Sequence, residues 1–316
     1  MDGKGQHVQY TQQTVKSALR FDGVGLHSGR PVRMVIHPAA AEHGIWFRRS
    51  DVHFGDAMIP ARWDAVRQSP LCTFLENAAG VSVSTVEHVM AALAGCGVHN
   101  ALIEVDGPEV PILDGSSAAF VRAILTRGLR RQDAPVRVIR VLEPVEVRRG
   151  EAWARLDPAD ALVIDFRIQF EDAAIGDQSK ALTMSNGSFV RELCDSRTFC
   201  RQADVDAMRA QGLALGGTLE NAVVVDGDRI LTPGGLRHRD EAVRHKMLDA
   251  LGDLALAGAP LLAAYTGHRA GHALTNDLLR ALFARPSAFR MEVCDPAMAA
   301  RLPGVDIHMD EIPAVA

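Results

Sequence analysis

The chain has 316 residues, 47% of them hydrophobic and 23% charged, and carries a net charge of −5. That composition suits one large or two ordinary globular domains, and its densest basic patch, residues 127–131, is too short to serve as a nucleic-acid footprint. The longest nearly apolar stretch, LALAGAPLLAAY, is broken by Pro260 and too short to span a bilayer, so neither a nucleic acid nor stable membrane insertion is expected.

The first residues lack the apolar core of a secretory signal. Cys72, Cys96, Cys194, Cys200 and Cys294 are odd in number and contain no C-x-x-C pair, which disfavours a disulfide scaffold and points to the reducing cytoplasm. In chain order, strands are expected at 32–36, 45–47 and 81–83, a helix from Thr85, a strand at 101–105 and a helix at 116–126. The segment RGLRRQDAP interrupts the pattern with glycine, charge and proline and reads as a linker, dividing the chain near residue 130.

The second part starts again with strands at 136–147 and 162–170, then helical segments near 189–193 and 204–211. A strand at 222–225, a helix from about Glu241, a strand near 261–265 and a helix after Gly271 follow. Strands followed by helices, twice over, predict an α+β fold of two similar domains, 1–130 and 131–295, with a loosely packed tail at 296–316.

Chemistry concentrates in three segments. In STVEHVMAALAGCGVHN, Ser84 and Glu87 have the spacing of a capping box, a sufficient structural reason for Glu87. The helix has no polar face, so His88 belongs to a buried helix, where a hydrogen-bonded core histidine is the ordinary reading. In RHKMLDALGDL, Val243, Met247, Ala250, Leu251 and Leu254 form an apolar stripe, and His245, Asp249 and Asp253 form a second stripe on roughly the opposite side. A solvated face would explain that second stripe. Against it stand two mid-helix aspartates and an uncharged segment from Leu254 to Gly267.

His245 and Asp249 are four residues apart and can reach one point, and His88 could complete two histidines and a carboxylate, the donor composition of a catalytic zinc site. In TGHRAGHALTND, His268 and His272 fit a surface loop unless His272 pairs with Asp253, which would keep the imidazole protonated. Thr198 could donate to an oxyanion or serve a turn, and Lys246 could be a phosphate contact or an exposed lysine.

Read together and in order, STVEHVMAALAG, PEVPILDGSSAAFV, RTF, LALGGTLENAVVVD, VRHKMLDALGDL and GHALTNDLLRAL closely resemble the UDP-3-O-acyl-N-acetylglucosamine deacetylases, zinc amidases of lipid A biosynthesis in Gram-negative bacteria, over about residues 12–295. The resemblance implies two domains, each a sheet packed on two main helices, with the helices of both sandwiched between the sheets. It implies one catalytic Zn2+ per chain on His88, His245 and Asp249, with Glu87 as general base and His272 as general acid held charged by Asp253. Thr198 would stabilise the oxyanion, and Lys246 would serve the transition state or the diphosphate.

The substrate partner implied is a UDP-linked acylated amino sugar. Phe170 of DFRIQF would stack on uracil, and Arg269 with Gly271 would meet the diphosphate. Val205, Ala214, Leu219 and Ala222 would line the acyl passage, with Leu71, Cys72 and Phe199 near its mouth. The chain departs from the family pattern at Cys200, Arg201 and Gln202, at Thr275 where Asn is usual, and at Gln169 where an acid is frequent. A cytoplasmic monomer is expected. The alternatives are a zinc amidohydrolase of different sugar or acyl specificity and a catalytically silent nucleotide-sugar binder.

Overall fold

The computed structural model describes residues 10–69 and 71–314; residues 1–9, part of the segment without signal character, lie outside them. Alternating side chains build the first half. In Pro31–Pro38, Val32, Met34 and Ile36 turn inward while their neighbours face outward. This strand joins a five-stranded sheet in the spatial order Leu19–Val24, Pro31–Pro38, Ala101–Val105, Ile45–Arg49, Met58–Pro60. Two helices, α1 (Glu87–Gly95) and α2 (Ala118–Arg127), accompany it.

The second half holds α3 (Ser188–Glu192), α4 (Gln202–Ala210), α5 (Glu241–Ala255), α6 (His272–Phe283) and α7 (Pro296–Ala299). Its seven-stranded sheet is centred on Leu261–His268, which pairs antiparallel with Ala152–Pro158 and parallel with Val163–Gln169 and Arg137–Val141. Helix α6 packs on Val145–Arg149 and Ala152–Pro158, and α5 packs on Val163–Gln169. The architecture is α+β.

The two halves meet helix to helix, α1 against α5. Gly252 makes this possible, since a Cβ there would lie 2.1 Å from the carbonyl oxygen of Glu87. The close approach carries the first turn of α1 against the middle of α5, the two places where the sequence concentrates its chemistry.

Three sequence expectations change. The segment RGLRRQDAP is not a linker: Leu129–Pro135 is a strand paired antiparallel with Thr11–Val15. The end of the chain is not loosely packed. Phe289–Val293 is an edge strand against Arg137–Val141, and Cys294, Ala299 and Leu302 are buried on Val136, Val138 and Leu262. Finally, Ser84 and Glu87 form no capping box. Val86 is the cap residue of α1 without a side-chain bond, Thr85 has a φ of 59°, and the Ser84 hydroxyl donates to the carbonyl of Pro108. The left-handed residue starts the helix later than expected and turns Glu87 away from the backbone it would have capped.

Candidate active site

The polar stripe of α5 is buried: His245, Asp249 and Asp253 are 2%, 4% and 3% exposed. It is therefore no solvated face. Burial follows from packing on several sides, since α5 packs on α1, on α6 and on the strand Val163–Gln169. His88, in the first turn of α1, completes a group with His245 and Asp249 whose ligand atoms all lie within 4.8 Å of one another.

Asp249 Oδ1 is 3.3 Å from His245 Nε2 and 3.6 Å from His88 Nε2, yet it is buried without a hydrogen-bond partner. A buried carboxylate oxygen with two imidazole nitrogens facing it has the donor composition that could hold a cation. His245 Nδ1 donates to the carbonyl of Ser196 at 3.0 Å, leaving Nε2 for the shared point. Burial pushes the His245 pKa down to about 4, so its imidazole is neutral and can act as a ligand. Burial would raise Asp249, but the adjacent His245 and Lys246 hold it well below the carboxylate range; Lys246 Nζ donates to Asp249 Oδ2 at 2.7 Å.

Glu87 and His272 flank this group. Burial raises the Glu87 pKa above the carboxylate norm, and its Oε2 accepts from the backbone N–H of Thr73 at 3.0 Å. His272, the first residue of α6, donates from Nδ1 to Asp253 Oδ2 at 2.8 Å, so it is not a surface-loop residue. Its Nε2 turns inward, 3.8 Å from Glu87 Oε1 and 3.9 Å from Asp249 Oδ2. Burial alone would depress the His272 pKa; the carboxylates of Asp253 and Glu87 outweigh it and push it up to about 9. By contrast, His268 lies at the end of its strand, stacked on Trp153.

These side chains form the floor of a cleft of about 830 Å3. Thr198, Phe199, Phe170 and Leu71 line it, as do Val205, Ala214, Leu219 and Ala222. Cys72, Arg269 and Gly271 do not. Cys72 is buried, its thiol pushed up to about 12, while Arg269 reaches outward to Glu151 at 2.6 Å and Gly271 caps α6. A second cavity of about 400 Å3, bounded by Met90, Leu93, Leu251 and Leu254, contains none of the catalytic candidates.

The matching family model is that of the UDP-3-O-acyl N-acetylglycosamine deacetylases, aligned over residues 12–284. The chain belongs to this family. A UDP-3-O-acyl-N-acetylglucosamine deacetylase of Phenylobacterium zucineum (strain HLK1) is 52% identical over 280 residues, covering 89% of this chain and 96% of the relative. Proteins of the same name from Anaeromyxobacter sp. (strain Fw109-5) and Shewanella frigidimarina (strain NCIMB 400) are 48% and 42% identical, over 89% and 94% of this chain and 91% and 99% of theirs.

Within this deacetylase fold the departures have visible settings. Arg201 and Gln202 line the cleft, but Arg201 is held by Asp204 at 2.7 Å and Gln202 by Asp206 at 2.8 Å. Thr275 is buried in α6, its hydroxyl 3.1 Å from that of Tyr265. Sequence reasoning passed over Thr73. Its hydroxyl donates to Asp253 Oδ1 while its N–H donates to Glu87, so one residue ties the two carboxylates together. The available signal was a lone hydroxyl residue between Cys72 and Phe74, directly after two residues named for the mouth.

Proposed function

We propose that this chain hydrolyses the N-acetyl group of UDP-3-O-acyl-N-acetylglucosamine, giving UDP-3-O-acyl-glucosamine and acetate, the committed step of lipid A biosynthesis. The reading is carried by one observation: Glu87 and the inward nitrogen of His272 converge on the buried His88, His245, Asp249 group, whose Asp249 Oδ1 lacks a hydrogen-bond partner. One zinc ion on those three residues would supply Lewis acidity, favouring deprotonation of water near neutral pH and drawing charge from the amide carbonyl.

Glu87 takes the proton of the attacking water, a task suited to a carboxyl whose pKa burial has raised. The Thr198 hydroxyl, in the same cleft, donates to the oxyanion that forms as the carbonyl carbon becomes tetrahedral. The C–N bond then breaks as His272 Nε2 delivers a proton to the nitrogen, and amine and acetate leave. Asp253 keeps His272 in its acid form and in the orientation that presents Nε2. Lys246, bonded to Asp249, provides positive charge beside the ligand group for the transition state or the diphosphate. Phe170, edge to face with Phe199 at 5.4 Å, offers an apolar face for the uracil base.

The two halves contribute ligands from one chain, so a monomer forms a complete site. Free cysteines and a nucleotide-sugar substrate fit the cytoplasm, and no helix among the described residues is long and apolar enough to cross a membrane. The test is acetate release from the UDP-linked substrate and from simpler N-acetyl sugars, alongside zinc content. Turnover of the UDP-linked substrate with one zinc per chain is expected. Preferential turnover of the simpler sugars would favour an amidohydrolase of other specificity, and a metal-free, inactive protein would leave a nucleotide-sugar binder.

A further inference from the structure

The peptide group between Ser196 and Arg197 is held on both sides by one face of α5. Its carbonyl accepts from His245 Nδ1 at 3.0 Å, and its N–H donates to Glu241 Oε1 at 3.0 Å. Glu241 and His245 are four residues apart, one turn of the same helix, so a single rigid element holds both ends of the peptide dipole. Glu241 is 1% exposed and is held in turn: Arg197 Nε donates to Oε1 at 2.9 Å, and the Arg237 N–H donates to Oε2 at 2.7 Å. The Arg197 guanidinium also donates to the carbonyl of Gly235 at 2.7 Å, so the ion pair is locked on both partners.

We infer that Glu241 is a positioning residue for the metal centre, acting through the Ser196–Arg197 peptide on His245. A carboxylate accepting the peptide N–H polarises the amide and strengthens its carbonyl as an acceptor. That carbonyl fixes the Nδ1–H tautomer and the plane of the His245 ring, and thereby presents Nε2 to Asp249 and His88. The same grip fixes the backbone at Arg197 and so places Thr198, the next residue, which immediately precedes the strand Phe199–Arg201 and whose N–H donates to the carbonyl of Gly115 while its own carbonyl accepts from the N–H of Val223. Glu241 thus couples a ligand of one element to the oxyanion donor of another without touching substrate.

The inference rests on the zinc reading above, and its test separates the two. Zinc affinity is measured by chelator competition on the full chain, with the 15N-labelled imidazole signals of His245 recorded in parallel. Glu241→Gln should lower zinc affinity about 10- to 100-fold, shift or broaden the His245 Nδ1–H signal, and lower kcat with little change in KM. Glu241→Asp, which keeps the charge, should recover part of all three and stands in for the glutamine variant if that one does not fold. A wild type that binds no zinc overturns the functional reading and this inference with it. Zinc on the wild type, with unchanged affinity and unchanged His245 signals in the folded variants, overturns the inference alone.

Discussion

Three residues on one stripe of α5 have separate partners. His245 and Asp249 face the shared point with His88, while Asp253, one turn further, faces His272. Asp253→Asn should therefore retain zinc by metal analysis yet lose most activity, on the order of 10²-fold or more; a variant that loses its metal would assign Asp253 to the ligands instead. The sign of the pH dependence follows from the proposed mechanism. If His272 is the proton donor it must be protonated, its pKa is raised to about 9, and so activity should decline as pH rises through the His272 transition. A cation on the neighbouring ligands lowers that transition and Asp253→Asn lowers it further, so the variant's alkaline limb in kcat against pH should lie below that of the wild type. Thr73→Val removes the hydroxyl bonded to Asp253 but keeps the N–H bonded to Glu87. It should lower kcat about 10-fold with zinc content unchanged, as read by initial rates and metal analysis.

At the scale of elements, the contact of α1 with α5 decides whether the site exists. The amphipathic spacing of 243–254 makes α5 legible in the sequence, because apolar residues recur at helical period whatever lies opposite. What lies opposite is not legible from that helix. Gly252 reads in the sequence only as a weak helix former, whereas in the fold it is the point where the backbone of Glu87 passes. Gly252→Ala places a methyl group within 2.1 Å of that carbonyl. It should cost about 1–3 kcal/mol by denaturant titration and weaken zinc binding, because the helices must separate. The capping-box reading of Ser84 and Glu87 failed at this scale too, since a spacing rule cannot register the left-handed Thr85 that intervenes.

At the scale of the molecule, the first and last strands among the described residues, Thr11–Val15 and Phe289–Val293, both pair with distant segments. The strand Phe289–Val293 and the buried Cys294, Ala299 and Leu302 complete the second half, so deleting residues 286–316 should cost on the order of 5 kcal/mol, seen as a lower Tm or insoluble protein. The charged letters of RGLRRQDAP suggested a linker because only part of that strand faces the core; its partner, Thr11–Val15, lies more than a hundred residues away in sequence. The cleft is likewise assembled from distant segments. Val205→Phe, on its α4 wall, should raise KM for long-acyl substrates while leaving kcat for short-acyl ones nearly unchanged, which steady-state kinetics on a chain-length series would read.

The sequence by itself determined the α+β class, most of the main helices, the buried character of His88 and the spacing of His245 with Asp249, because each depends on periodicity within one segment. Its ordered motifs also identified the family that the comparison bears out. The resemblance already implied that Asp253 holds His272, a pairing that spacing alone left open and the fold shows. Only the tertiary structure decided that Thr73 joins two carboxylates and that the Ser196–Arg197 peptide is held by Glu241 and His245. These contacts cross from one element to another. Their geometry is set by how α1, α5, α6 and the loops between them pack, a property that no single segment carries.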